Sequence, residues 1–497
     1  MQDSYLTSLQ EVTNTTITSS SSTASPVAVE GGKEKKKVVV IGAGWGGLSA
    51  AYELAKRSEE YDVTLLEAGP SVGGLVAGWK TQGGKSIEAG VHGFWYCYRN
   101  VFNLVENELR LRPFTDWTPS AQYSPNGLEV TSPIFQDLPR LPTPLGTFLY
   151  TRFQRLPLAD RASAFALLAS LLDFDNSDEA WRRYDKMTAR ELFREKGVSD
   201  RLYREAFEPM LLVGLFAPGE QCSAAGALGM LYYFILAHQA DFDVQWVRGT
   251  VGELIFTPWV EKIKALGATI ETGKRVSDLI QDTATGKITG VKCGDETFPA
   301  DAVISAVGIN GIKSIVRASS VLSKRKMFTD MMNLRSIDVL AVRLYLDRKV
   351  DIPYKSNACF GFDKTTGWTF FDLTNLHDEL ADSPVTVLEA DFYHADQLLP
   401  QSDAALVAKV KKYISQCVPA VAAAEITDSS VEKAFVTGLE AANAVMDELH
   451  GHGKGPERAT ILPIEADEPH IAVGRRLAKV SRTIQRQLLP FYDFKLR

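Results

Sequence analysis

Gly42, Gly44 and Gly47 stand in G-x-G-x-x-G spacing directly after the apolar run "KVVVI", and Glu67 follows twenty residues beyond the last of them. Residues 37–41 are β-branched and apolar, the composition of a parallel strand buried on both faces. The first glycine turns the chain, the second lets backbone approach a pyrophosphate, and the third lets the next helix pack against the strand. Gly46 lies on the same loop. Residues 48–57 have helical composition, so the N–H groups at the helix start point at the phosphates. Residues 62–66 read as a second strand, and Glu67 at its end places a carboxylate where it accepts both ribose hydroxyls. Strand, glycine turn, helix, strand and acid in register make a dinucleotide site, against the alternative of a glycine-rich turn without a ligand.

These elements need a large body to hold them. The 497 residues suffice for two or more domains with a sizeable core. A net charge of −7 speaks against nucleic acid as partner. No apolar run reaches the length of a membrane span. The five cysteines, Cys97, Cys222, Cys293, Cys359 and Cys417, are scattered without a C-x-x-C pair, which predicts a reducing compartment and no structural zinc. Residues 1–36 form a Ser/Thr-rich tail with the composition of disorder. The tail has no Lys or Arg before Lys33 and carries Asp3, Glu11 and Glu30, which makes it a poor transit peptide.

The text after Glu67 decides between dinucleotides. "EAGPSVGG" places Gly73 and Gly74 a few residues past the acid, followed by Leu75. This resembles the FAD-binding signature of the amine oxidase and carotene desaturase superfamily, in which the double glycine brings backbone close to the flavin's phosphates and Arg often stands where this chain has Leu75. "GKSIEAGVHGFWYCYRN" resembles a stretch of phytoene and ζ-carotene desaturases that lies beside the isoalloxazine ring. Glu88, Gly90, His92, Phe94, Tyr98 and Asn100 match it by position. The resemblance therefore implies ring contacts from Gly90, Val91 and His92, and makes His92 the candidate catalytic side chain, as base or as orienting group. A structural histidine at a strand end is the alternative. Val276 falls where the family makes an adenine-side backbone contact.

The resemblance implies an α/β fold: a Rossmann-type FAD-binding domain with a β-meander, interleaved with a mixed α+β substrate domain. The expected segments are FAD-binding at 37–115, a mainly helical substrate part at 116–246, FAD-binding at 247–310, a substrate sheet at 311–424 and a truncated third FAD-binding part at 425–446. A linker and a basic amphipathic helix follow at 447–497, with Leu477, Val480, Ile484 and Leu488 on one face and Arg475, Arg476, Lys479, Arg482 and Arg486 over much of the rest. Such a helix suits an anionic membrane surface, an acidic partner or the protein's own body.

The pattern breaks near the C-terminus. The family has a strand, a Gly-Asp pair that meets the ribityl chain, and a helix whose N-terminus faces flavin O2. Here "SSVEKAFVTGLEAANAV" supplies Val431, Glu432, Ala434 and Gly438 of the helix, but "KVKKYISQCVPAVAAAEITDSS" runs straight into Val431 without the strand or the Gly-Asp pair. Val431 and Ala434 are the cofactor contacts this match implies.

No paired catalytic carboxylates, Ser/His/Asp set or metal-ligand cluster stands out, so the flavin is the expected reagent. The resemblance implies FAD-dependent hydride transfer from a lipophilic, carotenoid-like polyene to flavin N5, with peripheral membrane association at a plastid or thylakoid surface. Two other readings stay open. One is a redox-neutral isomerase or amine oxidase of the same superfamily. The other is a relative that binds lipid or a partner without turnover.

Overall fold

The computed structural model describes residues 34–81, 84–364, 366–434 and 461–492. The β-branched runs form adjacent parallel strands, β1 (Lys36–Ile41) and β2 (Tyr61–Leu66), with Val38 paired to Val63 and Ile41 to Leu66. β10 (Thr269–Glu271) adds to β2 and β14 (Ala302–Ser305) adds to β1, both parallel, giving the order β10-β2-β1-β14. Helix α1 (Trp45–Ala55) buries Leu48, Ala51 and Leu54 in a core shared with Phe256 and Trp259. An antiparallel meander of β11 (Asp278–Gln281), β12 (Ile288–Cys293) and β13 (Glu296–Pro299) follows. It packs Val276 and Val291 against Val39, Ile41 and Leu66. The Rossmann-type layer and meander stand as expected.

The second layer is an eight-stranded sheet. Its centre is β15 (Val339–Leu346), β18 (Val387–Tyr393), β17 (Gly367–Asp372) and β16 (Ser356–Cys359), each antiparallel to the next. β6 (Ser120–Ser124) pairs parallel to β16, and β7 (Gly127–Ser132) and β8 (Arg152–Phe153) continue to one edge. These three strands come from the stretch expected to be mainly helical. β19 (Ile426–Ala434) forms the other edge, antiparallel to β15.

Side chains alternate across the sheet with period two. Leu340, Val342, Leu344, Trp368, Phe370, Leu388 and Phe392 face a helix, α3 (Asp403–Cys417), and pack on its Leu406, Val410 and Ile414. The opposite face carries Arg343, Thr369, Glu389, Asp391 and Tyr393, all buried. A polar face of that kind, turned inward, marks the working side of the sheet. Two short antiparallel pairs approach it: β3 (Gly78–Lys80) with β4 (Ser86–Glu88), and β5 (Gly93–Trp95) with β9 (Val244–Trp246).

The C-terminal helix, α4 (Pro469–Tyr492), docks through its basic side. Arg475 donates to Phe174 O, and Arg482 to Asp173 O (2.8 Å) and to the Asp173 carboxylate, at the end of α2 (Leu167–Asp173). These are cations on the free carbonyls of a helix C-terminus, where the dipole favours positive charge. Val473, Leu477 and Val480 point outward at 52%, 65% and 56% exposure. The side chains of Ile484, Arg486 and Leu488 lie outside the described residues. Asp173 also accepts from Tyr184 Oη (2.8 Å) and pairs with Arg183 (2.7 Å). Asp173→Ala should therefore loosen α4 selectively. Amide exchange over residues 469–483 should speed by at least tenfold, with exchange in β15 and β18 unchanged; uniform protection would show that the apolar contacts alone hold the helix.

Candidate functional site

The site begins at the turn between β1 and α1. Gly47 stands so close to Gly42 that a Cβ there would lie 1.7 Å from Gly42 O, so no side chain is tolerated. Gly73 N donates to Ala43 O (2.8 Å), which brings the Gly73–Gly74 turn onto the glycine loop. Leu75 follows in the short turn Gly74–Val76. The Glu67 carboxylate accepts from Ala43 N (2.8 Å) and Gly69 N (2.7 Å), which fixes it at the end of β2. Gly42, Gly44, Gly46, Gly47, Glu67, Gly73, Gly74 and Leu75 thus occupy one end of the parallel sheet. Val276 is buried nearby beneath the meander.

Gly90, Val91 and His92 lie on the loop between β4 and β5, pressed against the polar face of the large sheet. Val91 N donates to Asp391 Oδ2 (2.9 Å), and a Cβ on Gly90 would lie 3.1 Å from that same oxygen. With φ at +107°, Gly90 takes a conformation that side chains rarely adopt. Arg343 ties the sheet to the β3–β4 hairpin: Nε donates to its cross-strand neighbour Glu389 (2.6 Å) and Nη1 to Ser86 O (2.8 Å). Glu88 accepts from Gly252 N (3.0 Å). Glu88, Gly90, Val91, His92, Arg343, His377 and Glu389 surround one small cavity.

The electrostatics follow from burial. One guanidinium faces four carboxyl groups, Glu88, Glu389, Asp391 and Glu432. Burial pushes Glu88 up to about 8, and the neighbouring Glu389 adds to the rise. Burial and Glu389 also raise Asp391 well above the carboxylate range. Glu432 is raised in the same way. Burial lowers His92 to about 4 and His377 to about 3, so both rings are neutral at pH 7. His92 Nδ1, His377 Nδ1, Glu389 Oε1 and Asp391 Oδ1 are buried without a hydrogen-bond partner.

Two of the expected contacts stand elsewhere. Val431 and Ala434 belong to β19, paired to Val342 and Val339, and not to a helix facing a ring. With the strand and Gly-Asp pair missing from the sequence, residues 426–434 satisfy their backbone groups on the open edge of β15. Gly438 lies outside the described residues. Arg343, His377, Glu389 and Asp391 escaped the sequence reading, because each lies in a strand or turn far from any glycine motif. The inward charges in "AVRLYL" and "LEADFY", breaking otherwise apolar strands, were the available signal.

The family described as flavin containing amine oxidoreductase matches residues 45–433. This chain belongs to that family. It is an oxidoreductase family, and its flavin is the group the glycine cradle must be tested against. Among similar proteins, the ζ-carotene desaturase of Synechocystis sp. is 26% identical over 426 residues, covering 79% of this chain and 85% of that one. A chloroplastic/chromoplastic 15-cis-phytoene desaturase of an Oncidium hybrid cultivar is 27% identical over 405 residues, 80% of this chain and 67% of the relative. Cyclohexylamine oxidase from Brevibacterium oxydans shares the fold at TM-score 0.57 and 15% identity, over 80% of this chain and 85% of that one.

The residues present fit a flavin. Gly47 admits no side chain, Gly44 and Gly74 face each other without one, Glu67 is fixed at the end of β2, and the unpartnered nitrogens of His92 and His377 belong to residues that line the small cavity. Among the described residues no helix N-terminus from the 431–434 segment joins them.

Two measurements test the cluster. Between the ordinary carboxylate range and about pH 8, folded Glu88 holds a proton that the unfolded chain has released. Its contribution to stability is therefore full at the acid end and is lost as pH rises, at up to ~1.4 kcal/mol per pH unit for one group. Urea midpoints should fall between about pH 6 and about pH 8, and Glu88→Gln should flatten that fall; parallel slopes would assign the proton to another group. Arg343→Met should destabilise by roughly 3–5 kcal/mol by leaving Glu389 buried and unpaired, and Arg343→Met with Glu389→Leu should recover most of the loss.

Proposed function

We propose that the chain binds FAD and oxidises a lipophilic polyene by hydride transfer. One observation carries this reading: a nearly wholly apolar cavity of about 250 Å³ opens on the same side of the large sheet as the Gly90–His92 loop. Leu167, Leu171, Met210, Leu231, Ile235 and Phe242 are among its walls. An apolar ligand lying there needs no polar partner and excludes water from the adjacent cluster. Bound flavin supplies the hydride acceptor.

The chain's own residues supply position and proton control. Gly42–Gly47 and Glu67 hold the adenosine diphosphate half. Arg343 and Asp391 fix the loop that presents Val91 and His92. His92 is neutral and buried, so orientation suits it better than proton abstraction at neutral pH. Similarity to the chloroplastic desaturases supports a plastid location, and the exposed Leu145, Leu149, Leu158 and Phe165 beside the cavity support contact with a membrane surface.

A second reading has one observation behind it. With residues 431–434 in β19, the ring end of the site lacks the helix that the resemblance implies, which favours a relative that binds without turnover.

The visible spectrum of the purified protein separates the two. Stoichiometric flavin, released by heat and identified as FAD, with anaerobic bleaching on addition of polyene in liposomes, is the expected result. A protein that stays colourless after reconstitution would support the second reading. His92→Ala should keep its flavin and lose turnover at least ~10-fold; wild-type turnover would remove His92 from the reaction.

A further inference from the structure

The cavity wall holds one charge. Arg161 lies among its apolar lining, with its guanidinium 4.6 Å from the Phe148 ring centre and 4.9 Å from that of Phe153. Its Nη2 donates to Phe148 O (2.7 Å), while Nε is buried without a partner. Four other arginines of this region meet a carboxylate: Arg155 with Glu129, Arg183 with Asp173, Arg190 with Asp200 and Arg201 with Glu205. Among the described residues, no carboxylate pairs with Arg161. A guanidinium stays charged at any working pH. Held in an apolar wall by two rings and one carbonyl, it is a cation with unused donor capacity facing a space shaped for hydrocarbon.

The sheet gives this charge a direction. Gln122 on β6 pairs with Val130 on β7, which pairs with Phe153 on β8. These three residues form one row across the cavity floor, and Gln122 stands about 10 Å inward from Phe153 at the usual strand spacing. β8 is the sheet edge, whereas β6 lies toward β17 and β18, which carry Thr369, Asp391 and Tyr393. The charge therefore marks the outer end and the flavin-side cluster the inner end. Gln122 carries a buried amide oxygen without a partner, the only polar side chain in that row.

We infer that the cavity takes an amphiphile, a long unsaturated chain ending in a carboxylate, with the carboxylate on Arg161 and the chain running inward past Gln122. This rests on the reading of the cavity as the substrate site and narrows its substrate from a hydrocarbon to an acid. Arg161 is then a specificity residue: it sets which carbon of the chain reaches the loop at His92.

The test uses the full-length protein and cis-parinaric acid, a polyene acid that fluoresces in apolar sites, against its methyl ester. Expected is binding of the acid at least ~10-fold tighter than the ester, the size of a charge-assisted hydrogen bond. Arg161→Met should weaken the acid by that factor and leave the ester unchanged, and Arg161→Lys should retain part of the preference. The acid–ester comparison on the unaltered chain needs no variant, so a misfolded mutant leaves the result readable. Equal affinity for acid and ester overturns the inference while leaving a hydrocarbon substrate in place. Binding of neither overturns the inference and the lipophilic-substrate reading together, whatever the flavin content.

Discussion

Arg343 and Glu389, partners on adjacent strands of the large sheet, anchor that sheet to the hairpin of β3 and β4. Both side chains are buried, and the guanidinium also holds the carbonyl of Ser86, so a single residue of the large sheet grips the hairpin that leads to the Gly90–His92 loop. Removing either partner of such a buried pair leaves an uncompensated charge, and Glu389 already has one oxygen, Oε1, without a partner. Here one cation serves a crowd of carboxyl groups. Burial raises both Asp391 and Glu88, and each accepts from a backbone N–H, of Val91 and of Gly252. These polar contacts set the loop's position beside the packing of Val91 on Trp246 and its neighbours.

That arrangement divides labour between the sheet's faces. One face is a close-packed apolar floor under α3, with Trp368 stacked on Phe392 at 5.6 Å. It supplies stability without chemistry. The other face runs from the polar cluster at β15 and β18 to an apolar wall at β6, β7 and β8. Arg161 lies at the apolar end, and His92, Glu88 and Asp391 lie at the polar end.

The C-terminal part shows how a chain settles when a segment of pattern is missing. Residues 426–434 complete the sheet edge beside β15, and Glu432 joins the face that already holds Glu389. Backbone satisfaction outweighed the helical character of "VEKA", since an open central edge costs more than a local propensity gains. α4 likewise turned Arg475 and Arg482 inward, because helix-end carbonyls and Asp173 offered them partners, and left Leu477 and Val480 outside.

While the meander came by resemblance, the sequence by itself determined the parallel layer and its glycine turn. Their signals are local: a β-branched run, glycines where no Cβ fits, and an acid one helix later. It also marked the Gly90–His92 loop, by resemblance of a contiguous stretch. The tertiary structure alone decided the rest. Ser86 and Arg343, or Val91 and Asp391, are 257 and 300 residues apart in the chain, and nothing local to either predicts the other. The hairpin of β6 and β7 was lost inside a stretch read as helical, because its strands are short and gain their register only from β16. The unpaired charge of Arg161 is invisible in one dimension, where it is one arginine among several. Only the fold shows which of them found a carboxylate.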